Sequence, residues 1–204
     1  MKIRNIVFDI GNVLVSYQPL SFHIQKGDTM EMTELFLREI YYSPEWQRLD
    51  QGTITLNEAI LSIGERSVLT RQEIARVFMM REELLFPLKE NTNLLKSLKK
   101  RGYTLFYLSN FPEDMFGVLT AKHGFFKWFD GGVVSSAEKL LKPSPEIFRI
   151  LVSRYNINPS ETLFIDDLLP NIEGAASEGF ITLHLPDHTQ LRKALGKKLN
   201  NHNG

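Results

Sequence analysis

The sequence predicts an α/β protein in which helices cover both faces of a parallel sheet and an all-helical cap is inserted after the first strand. Two observations lead to this prediction. Short apolar segments recur along the chain, and from residue 103 onward they alternate with helix-like stretches. Residues 16–88 instead contain several helix starts and no convincing strand. A repeated strand–helix–strand order is typical of an open parallel sheet with right-handed crossovers.

Five segments are predicted to be strands because each is almost continuously apolar, as strands buried on both faces of a parallel sheet are. They cover residues 3–8, 103–108, 132–134, 162–165 and 180–183. Helices are predicted at residues 112–123, 145–155 and 170–177. Ser144 is expected to start the second of these helices as its N-cap, since Pro145 follows at the first helical position.

The cap prediction depends on helix starts. Residues 55–58 and 70–73 both match the capping box, in which side chains satisfy the free amides of a first turn. Ser43 before a proline is a third start. We therefore predict two units: a Rossmann-like core of residues 1–15 and 89–204, and a helical cap of residues 16–88.

The amino-acid composition argues against several classes of partner and of active site. The 204 residues include 24 Lys+Arg and 24 Asp+Glu, so the net charge is zero, which argues against nucleic acid or an anionic membrane as partner. The absence of cysteine excludes disulfides, thiolate metal sites and a cysteine nucleophile. No stretch is long enough to span a bilayer, and the first residues lack a signal-peptide pattern, so we expect a cytoplasmic protein. Its oligomeric state stays open.

Polar side chains stand where the predicted strands end. In open parallel sheets, ligands bind beyond the carboxyl ends of the strands, so these side chains are expected to converge. Three neighbouring carboxylates repel one another unless a cation neutralises them. Oxygen ligands without histidine or cysteine suit Mg²⁺, and a lysine and a hydroxyl beside the metal suit a phosphoryl group. The converging residues are Asp9, Ser109, Asn110, Asp166 and Asp167, with Lys142 from the connection after the third strand.

Each of these residues alone has an ordinary structural explanation. Asp166 or Asp167 is the kind of residue that caps a helix, Ser109 suits a turn, and Lys142 suits an exposed surface. Asp9 differs because it interrupts an apolar segment, where an unpaired charge is costly. The joint occurrence of these residues at one end of one predicted sheet favours a site.

At this point the sequence resembles a known family, the haloacid-dehalogenase-like (HAD) hydrolases. Residues 6–14, Ile-Val-Phe-Asp-Ile-Gly-Asn-Val-Leu, resemble the first motif of that family. Residues 108–110 resemble the second motif, and Lys142 with its following proline resembles the third. Residues 164–167, with Asn171 downstream, resemble the fourth. The resemblance covers the whole chain, including a helical cap between motifs one and two.

The resemblance implies catalytic and substrate-binding residues. Asp9 would be the nucleophile that attacks phosphorus and forms an aspartyl-phosphate. Lys142 would be the second catalytic residue and, with Ser109, would bind the phosphoryl oxygens. Asn110 would contribute to the same binding, through backbone amides near it and near Gly11.

The resemblance also implies Mg²⁺ as the cofactor. Asp9, the backbone carbonyl of Gly11 and Asp166 would hold the ion, and Asp167 would support the ion or its waters. The ion would shield the nucleophile from the anionic substrate.

One departure from the family pattern concerns acid–base catalysis. The common phosphatase form of the first motif has a second aspartate two residues after the nucleophile, acting as general acid and then general base. Here that position is Gly11. Loss of such a group costs about 10²–10⁴-fold in rate. Asn12, a residue of the cap and water are the candidate replacements, and the sequence leaves all three open.

Three functions follow from this departure. The first is a phosphatase of a small phosphorylated metabolite, which we predict to be a sugar phosphate, with a leaving group that needs little protonation. The motif around Asp9 resembles a branch that includes bacterial α-glucose-1-phosphate phosphatases, and Trp46, Leu49, Gly52 and Ile54 in the cap resemble it too. The second is a dehalogenase, which lacks the second aspartate but needs no metal pair. The third is a non-catalytic relative that binds a phosphorylated ligand or a protein.

Substrate contacts from the cap are the least defined part of the prediction. Arg38, Arg48 and Arg81 carry charge suited to an anionic substrate, and each is equally suited to an exposed surface.

Overall fold

The computed structural model describes residues 2–203, and within them it has one five-stranded sheet in which all strands run parallel. The strands are β1 (Asn5–Phe8), β2 (Thr104–Ser109), β3 (Gly131–Val134), β4 (Thr162–Asp166) and β5 (Ile181–His184). Their spatial order is β3-β2-β1-β4-β5, so β1 is central. Phe8 lies level with Tyr107 of β2 and with Ile165 of β4. The residues that follow these three strands therefore meet at the middle of the sheet edge.

Helices fill the connections. Between β1 and β2 lie α1 (Pro19–Gln25), α2 (Met30–Phe36), α3 (Pro44–Asp50), α4 (Leu56–Arg66), α5 (Arg71–Met80) and α6 (Lys89–Lys100). The later helices are α7 (Glu113–Lys122), α8 (Ser135–Glu138), α9 (Pro145–Tyr155), α10 (Leu169–Ser177) and α11 (Leu191–Asn203). A π-helical turn (Leu37–Tyr41) extends α2, and short 3₁₀ turns lie at Gly124–Trp128, Pro159–Glu161 and His188–Gln190. Among these helices none is long and apolar enough to cross a membrane.

The predicted fold class is confirmed, and the five predicted strands match the observed ones to within two residues at each end. The capping boxes are confirmed as well, since the side chains of Thr55 and Thr70 each accept a hydrogen bond from the backbone three residues on. Ser144 is the N-cap residue of α9, as predicted, although its side chain makes no capping hydrogen bond. It stands before Pro145 at the helix start, but its hydroxyl contacts the Glu146 carboxylate instead of capping a backbone amide.

Two apolar clusters cover the two faces of the sheet. Alternate residues of β1 point to opposite sides, so Phe8 joins the cluster formed with α6, α7 and α11, and Val7 joins the cluster formed with α9 and α10. Phe148 and Phe164 are fully buried in the second cluster and meet edge to face. Truncating either of them to alanine is expected to cost about 3–5 kcal/mol. The sheet is therefore a rigid base for the residues that follow its strands.

The helices of residues 19–80 pack around a third cluster of their own, which includes Phe36, Ile63 and Phe78. The chain passes between this cluster and the sheet at two adjacent crossings. Ser16 donates its backbone N–H to Phe86 at 2.9 Å, and Leu88 donates to Leu14 at 2.9 Å. This paired crossing supports our proposal that residues 16–88 form the cap, whose exact boundaries stay a prediction.

Candidate active site

Five side chains meet beyond the carboxyl ends of the three central strands, and we refer to them together as the floor. Asp9 follows β1 directly, and its backbone N–H donates to Ile165 of β4 at 2.8 Å. Ser109 and Asp166 are the last residues of β2 and β4. The floor consists of Asp9, Ser109, Lys142, Asp166 and Asp167. The sequence predicted all five as site residues, and the structure brings all five together.

The ammonium group of Lys142 lies at the centre of the floor. It donates to Asp9 Oδ1 at 2.8 Å and to Asp166 Oδ2 at 2.6 Å, and its side chain is 1% exposed. Ser109 Oγ donates to the same Asp9 oxygen at 2.7 Å. Oδ1 of Asp9 therefore takes both hydrogen bonds, while Oδ2, on the side of Gly11, accepts none from the described residues.

Asp166 is held from several directions. Asn171 donates its amide to both carboxylate oxygens at 3.0 and 3.1 Å, and the backbone N–H of Leu168 donates to Oδ1 at 2.9 Å. Because α10 begins at Leu169, the helix that carries Asn171 starts just after the carboxylate it orients. Such outer contacts fix the direction in which a carboxylate presents its lone pairs.

The side chain of Asn110, for which the sequence predicted no separate role, holds the backbone of Lys142. Its amide nitrogen donates to the carbonyl of Lys142 at 3.1 Å, and its amide oxygen accepts from the backbone N–H of Lys142 at 2.9 Å. Both polar ends are thus used to hold the loop that carries Lys142. Substrate binding by Asn110 stays a prediction for its backbone amide alone.

Asn12 ties the floor to the start of the cap. It has a left-handed backbone (φ 51°), and its amide nitrogen donates to Asp167 Oδ2 at 3.1 Å. Its amide oxygen accepts from the backbone N–H of Tyr17 at 3.0 Å and from Gln18 at 3.1 Å. Asn12 therefore orients Asp167. It cannot replace the aspartate missing at position 11 as proton donor, because an amide does not release a proton near neutral pH.

Three carboxylates of the floor are arranged as metal ligands would be. Asp9, Asp166 and Asp167 each offer an oxygen, and these oxygens all lie within 4.8 Å of one another. Gly11, whose carbonyl was predicted as a further ligand, lines a cavity that Asp9 and Asp167 also line. Lys142 supplies one positive charge against three negative ones, so a hard divalent cation fits both the donor atoms and the charge of this site.

The electrostatics of the floor show the same imbalance. Burial raises the pKa of Asp9 to about 7; the charge of Lys142 opposes this effect, and the charges of Asp166 and Asp167 add to it. Burial likewise raises the pKa of Asp167. Burial alone would lower the pKa of Lys142, but the carboxylates of Asp166 and Asp9 outweigh it and raise the pKa above its usual value. Lys142 is thus charged at neutral pH.

A cavity of about 560 Å³ separates the floor from the cap. We call its cap side the cap wall. The residues of the cap wall come from the start of the cap, from α3 and the segment just before it, and from the segment that follows α5. Trp46 is fixed by stacking on Phe78, with ring centroids 5.6 Å apart. Apolar residues of the core complete the enclosure. The cap wall comprises Tyr17, Tyr42, Trp46, Asp50 and Arg81, with Leu20 and Leu85 beside them.

Of the three arginines suggested for substrate contact, Arg81 lines the cavity, whereas Arg38 and Arg48 are exposed and do not. Arg81 follows α5 and pairs through Nη2 with Asp114 on α7. Its Nη1 is buried and has no hydrogen-bond partner among the described residues. A buried donor without a partner is rare in native structures, and here it stands beside a cavity.

Asp50 is the residue that sequence reasoning missed. It is the last residue of α3 and lines the cavity together with Asp9. Burial raises the pKa of Asp50 to about 8; Arg81 opposes this and the charge of Asp9 adds to it. No motif marks Asp50 in the sequence, because its position depends on how the cap packs against the core.

Comparison with known proteins agrees with this geometry. Residues 3–179 match the family described as haloacid dehalogenase-like hydrolase. The sesquiterpene phosphatase AstK of Aspergillus oryzae is 29% identical, over 93% of this chain and 95% of its own length. The D-ribitol-5-phosphate phosphatase of Bacteroides thetaiotaomicron is 27% identical, over 97% of this chain and 99% of its own. The (S)-2-haloacid dehalogenase 1 of Pseudomonas sp. is 25% identical, over 90% and 84%.

A solved structure shares the fold. The magnesium complex of a HAD family enzyme from Bacteroides thetaiotaomicron superposes with a TM-score of 0.69 at 23% identity, over 90% of this chain and 93% of that one. The family match extends from before β1 to just beyond the end of α10, and so includes every residue of the floor. This chain therefore belongs to the haloacid dehalogenase-like hydrolases.

Proposed function

We propose that the protein is a Mg²⁺-dependent phosphatase that transfers the phosphoryl group of a small phosphorylated metabolite first to Asp9 and then to water. The observation that carries this proposal is the floor itself. One buried ammonium group bridges Asp9 and Asp166, and the three carboxylates have oxygens within 4.8 Å of one another. That arrangement provides a nucleophile, cation ligands and phosphoryl-binding donors in one place.

Asp9 is positioned to act as the nucleophile. Its Oδ1 is engaged by Ser109 and Lys142, which orients the carboxylate, and its Oδ2 is free of hydrogen bonds from the described residues. Attack on phosphorus forms a bond from Asp9 to phosphorus and breaks the bond to the leaving oxygen. Water then attacks phosphorus and releases Asp9 and inorganic phosphate.

Ser109 and Lys142 are positioned to hold the phosphoryl oxygens during both steps. Their donors already point at the place where Asp9 acts, at 2.7 and 2.8 Å from its oxygen. Fixed donors of this kind stabilise negative charge as it develops and need no reorganisation at that moment.

Asp9, Asp166 and the carbonyl of Gly11 would hold the Mg²⁺ ion, with Asp167 kept in place beside it by Asn12. When bound, the ion supplies positive charge that lets an anionic substrate approach an anionic nucleophile. The oxygen-only donor set and the surplus of carboxylates support Mg²⁺, as does the magnesium complex of the similar structure.

A sugar phosphate is the substrate class we favour. The unused Nη1 of Arg81 needs an acceptor, and a substrate hydroxyl would provide one. The relative named as a D-ribitol-5-phosphate phosphatase supports this class. A flat ring such as that of Trp46, held rigid against Phe78, also suits a sugar face. The resemblance to α-glucose-1-phosphate phosphatases stays part of this proposal.

A second substrate class follows from the apolar part of the cavity. Leu20, Leu85, Phe111 and Met115 line it together with the aromatic residues of the cap wall. An apolar alcohol carried by a phosphate would fill such a space, and the relative named as a sesquiterpene phosphatase supports this candidate.

The experiment that tests the phosphatase proposal is phosphate release from p-nitrophenyl phosphate, glucose 1-phosphate, glucose 6-phosphate, ribitol 5-phosphate and farnesyl monophosphate, with Mg²⁺ and with chelator. We expect metal-dependent turnover that falls by at least about 10⁴-fold in Asp9→Asn. Beryllium fluoride should bind to Asp9 as an acyl-phosphate mimic.

The alternatives give different results. A dehalogenase would release halide from 2-chloropropionate in the presence of chelator and leave phosphate esters intact. A non-catalytic binding protein would fold and bind Mg²⁺ without turning over any of these compounds. Either result would overturn the proposal.

A further inference from the structure

The floor lacks the aspartate that gives a proton to the leaving oxygen in the common form of the family. Gly11 has no side chain where the common family form has an aspartate. The donors of Ser109 and Lys142 point at Asp9, and Asn12 holds Asp167 through an amide. A leaving alkoxide is a poor leaving group unless it is protonated, so an acid has to come from elsewhere in the cavity.

Asp50 is fixed in place on the opposite side of that cavity. Its backbone carbonyl accepts a hydrogen bond from Ser135 Oγ at the start of α8. The turn after it is docked on the core, since Gln51 donates to the carbonyl of Lys139 at 2.8 Å. Gly52 has a left-handed backbone (φ 69°), and a Cβ there would lie 2.6 Å from the carbonyl oxygen of Ser136. Only glycine allows this close approach, which holds the end of α3 against the core.

The carboxyl group of Asp50 is unpaired within the part of the chain that the structure describes. It makes no hydrogen bond or ion pair with any residue that the structure describes, and the residue is half-buried, with the cavity beside it. The charged and titratable groups that act on it are Arg81 and Asp9, and Asp50 in turn raises the pKa of Tyr17. Since burial and Asp9 raise the pKa of Asp50 to about 8, it carries a proton at neutral pH.

We infer that Asp50 is the general acid and base of the reaction, supplied by the cap in place of the residue missing at Gly11. This inference rests on the proposed phosphatase function. In the first step the bond between phosphorus and the leaving oxygen breaks, and the Asp50 carboxyl gives its proton to that oxygen as Asp9 becomes phosphorylated. In the second step the Asp50 carboxylate takes a proton from the water that attacks phosphorus, and the bond from phosphorus to Asp9 breaks.

The test compares Asp50→Asn with the unmodified chain on p-nitrophenyl, phenyl and benzyl phosphate, which have similar shapes and leaving groups of increasing basicity. Single-turnover kinetics isolate the first step. We expect its rate constant to fall on the order of 10²-fold for benzyl phosphate and less than about threefold for p-nitrophenyl phosphate. Phosphorylated Asp9 should also accumulate in acid-quenched samples, because the second step loses its base.

Glu65→Gln is the matched control. Glu65 is exposed on α4 in the cap and does not line the cavity, so its variant should behave as the unmodified chain with all three esters. Thermal unfolding of both variants checks the fold. A loss in Asp50→Asn that is equal for the three esters, or no loss at all, would overturn the role of Asp50 and leave the phosphatase proposal standing. Absence of turnover by the unmodified chain would overturn both.

Discussion

Lys142 and Ser109 on the floor both donate to Asp9, whereas the side-chain carboxyl of Asp50 on the cap wall has no hydrogen-bond partner within residues 2–203. Arg81, also on the cap wall, keeps one buried nitrogen without a partner in the same part of the chain. The floor therefore satisfies most of its own polar groups, and the cap wall leaves polar groups for something else to satisfy.

This difference indicates a division of work. Mutual hydrogen bonds on the floor hold the reacting groups in one geometry before substrate arrives, which is the condition for electrostatic preorganisation. Unsatisfied groups on the cap wall cost free energy in the empty protein and gain it back when a substrate supplies partners. We therefore expect the chemistry that every substrate needs to lie on the floor, and the groups that meet the leaving part of the substrate to lie on the cap wall.

The largest expected effect breaks the floor. Lys142→Met removes the ammonium group between Asp9 and Asp166, which both lie in buried surroundings. We expect kcat/KM to fall on the order of 10³-fold, as for loss of a preorganised donor. We also expect the free energy of unfolding in chelator to fall by about 3 kcal/mol at pH 8, because two buried carboxylates lose their cation. Urea unfolding with and without Mg²⁺ measures this.

The sign of the pH effect follows from the carboxylates. Without the opposing charge of Lys142 the pKa of Asp9 in the folded state rises further above the value of about 7 that it has in the unmodified chain. The destabilisation relative to the unmodified chain should therefore be smaller below pH 7 and increase as pH rises above 7, where folded Asp9 has lost its proton in the unmodified chain and keeps it in the variant. Lys193→Met, an exposed lysine on α11, is the control and should change neither quantity. Equal stability of Lys142→Met and the unmodified chain at pH 8 would contradict a floor held together by this ammonium group.

The next largest effect is expected when the proton donor is moved from Asp50 on the cap wall to position 11, beside the floor. A Cβ at Gly11 would meet Asp9 Oδ2 at 3.8 Å, which is ordinary van der Waals contact, so the backbone has room for a side chain. Introducing Gly11→Asp into Asp50→Asn should recover benzyl phosphate hydrolysis by on the order of 10-fold or more, since it restores a carboxyl group beside the nucleophile. Steady-state kinetics on the double variant measure the recovery.

Gly11→Asn in the same background has nearly the same shape and cannot release a proton. It separates proton transfer from a change in packing. Recovery by both side chains, or by neither, would mean that the lost function in Asp50→Asn was not proton transfer.

The sequence predicted that the residues of the floor converge, because the signal for their convergence is local. Asp9, Ser109 and Asp166 each stand at the end of an apolar segment, and parallel strands bring their ends to one edge whatever the loops do. The side-chain role of Asn110 was not predictable in the same way. Its contacts with the backbone of Lys142 join residues that are 32 positions apart, and their geometry depends on the loop between them.

Asp50 lies beyond what the sequence reveals for a related reason. Its position follows from the docking of residues 51 and 52 on the core and from the hydrogen bond of Ser135 to its carbonyl. These are tertiary contacts between the cap and the core, and hydrophobic periodicity carries no information about them. Gly52 belongs to the stretch of the cap that resembles the family branch, but the reason for a glycine there is the close approach of the Ser136 carbonyl.

The smallest expected effect concerns the contacts between α3 and α4 in the cap, and it should change stability without changing activity. Glu45 lies on α3, five residues before Asp50, and is 6% exposed. It accepts hydrogen bonds from Arg66 Nη2 at 2.7 Å and from Ser62 at 3.0 Å, which fasten α3 to α4. The Arg66 hydrogen bonds hold the pKa of Glu45 at about 2, well below its unfolded value of 4.5.

A depressed folded pKa means that the stabilisation from Glu45 is complete above pH 4.5 and is lost as pH falls toward 2. Because Arg66 is 39% exposed, solvent screening limits the contribution, and we expect Glu45→Gln to lower the free energy of unfolding by about 1–2 kcal/mol at pH 7. The deficit relative to the unmodified chain should shrink below pH 4.5, as urea titrations at each pH would measure, and Glu65→Gln should show no such deficit.

Turnover of p-nitrophenyl phosphate by Glu45→Gln should change less than about twofold, since the contacts of Glu45 with Arg66 and Ser62 touch no reacting group. If turnover fell together with stability, the contacts between α3 and α4 would be part of the catalytic machinery, and the whole of α3 would belong with the cap wall.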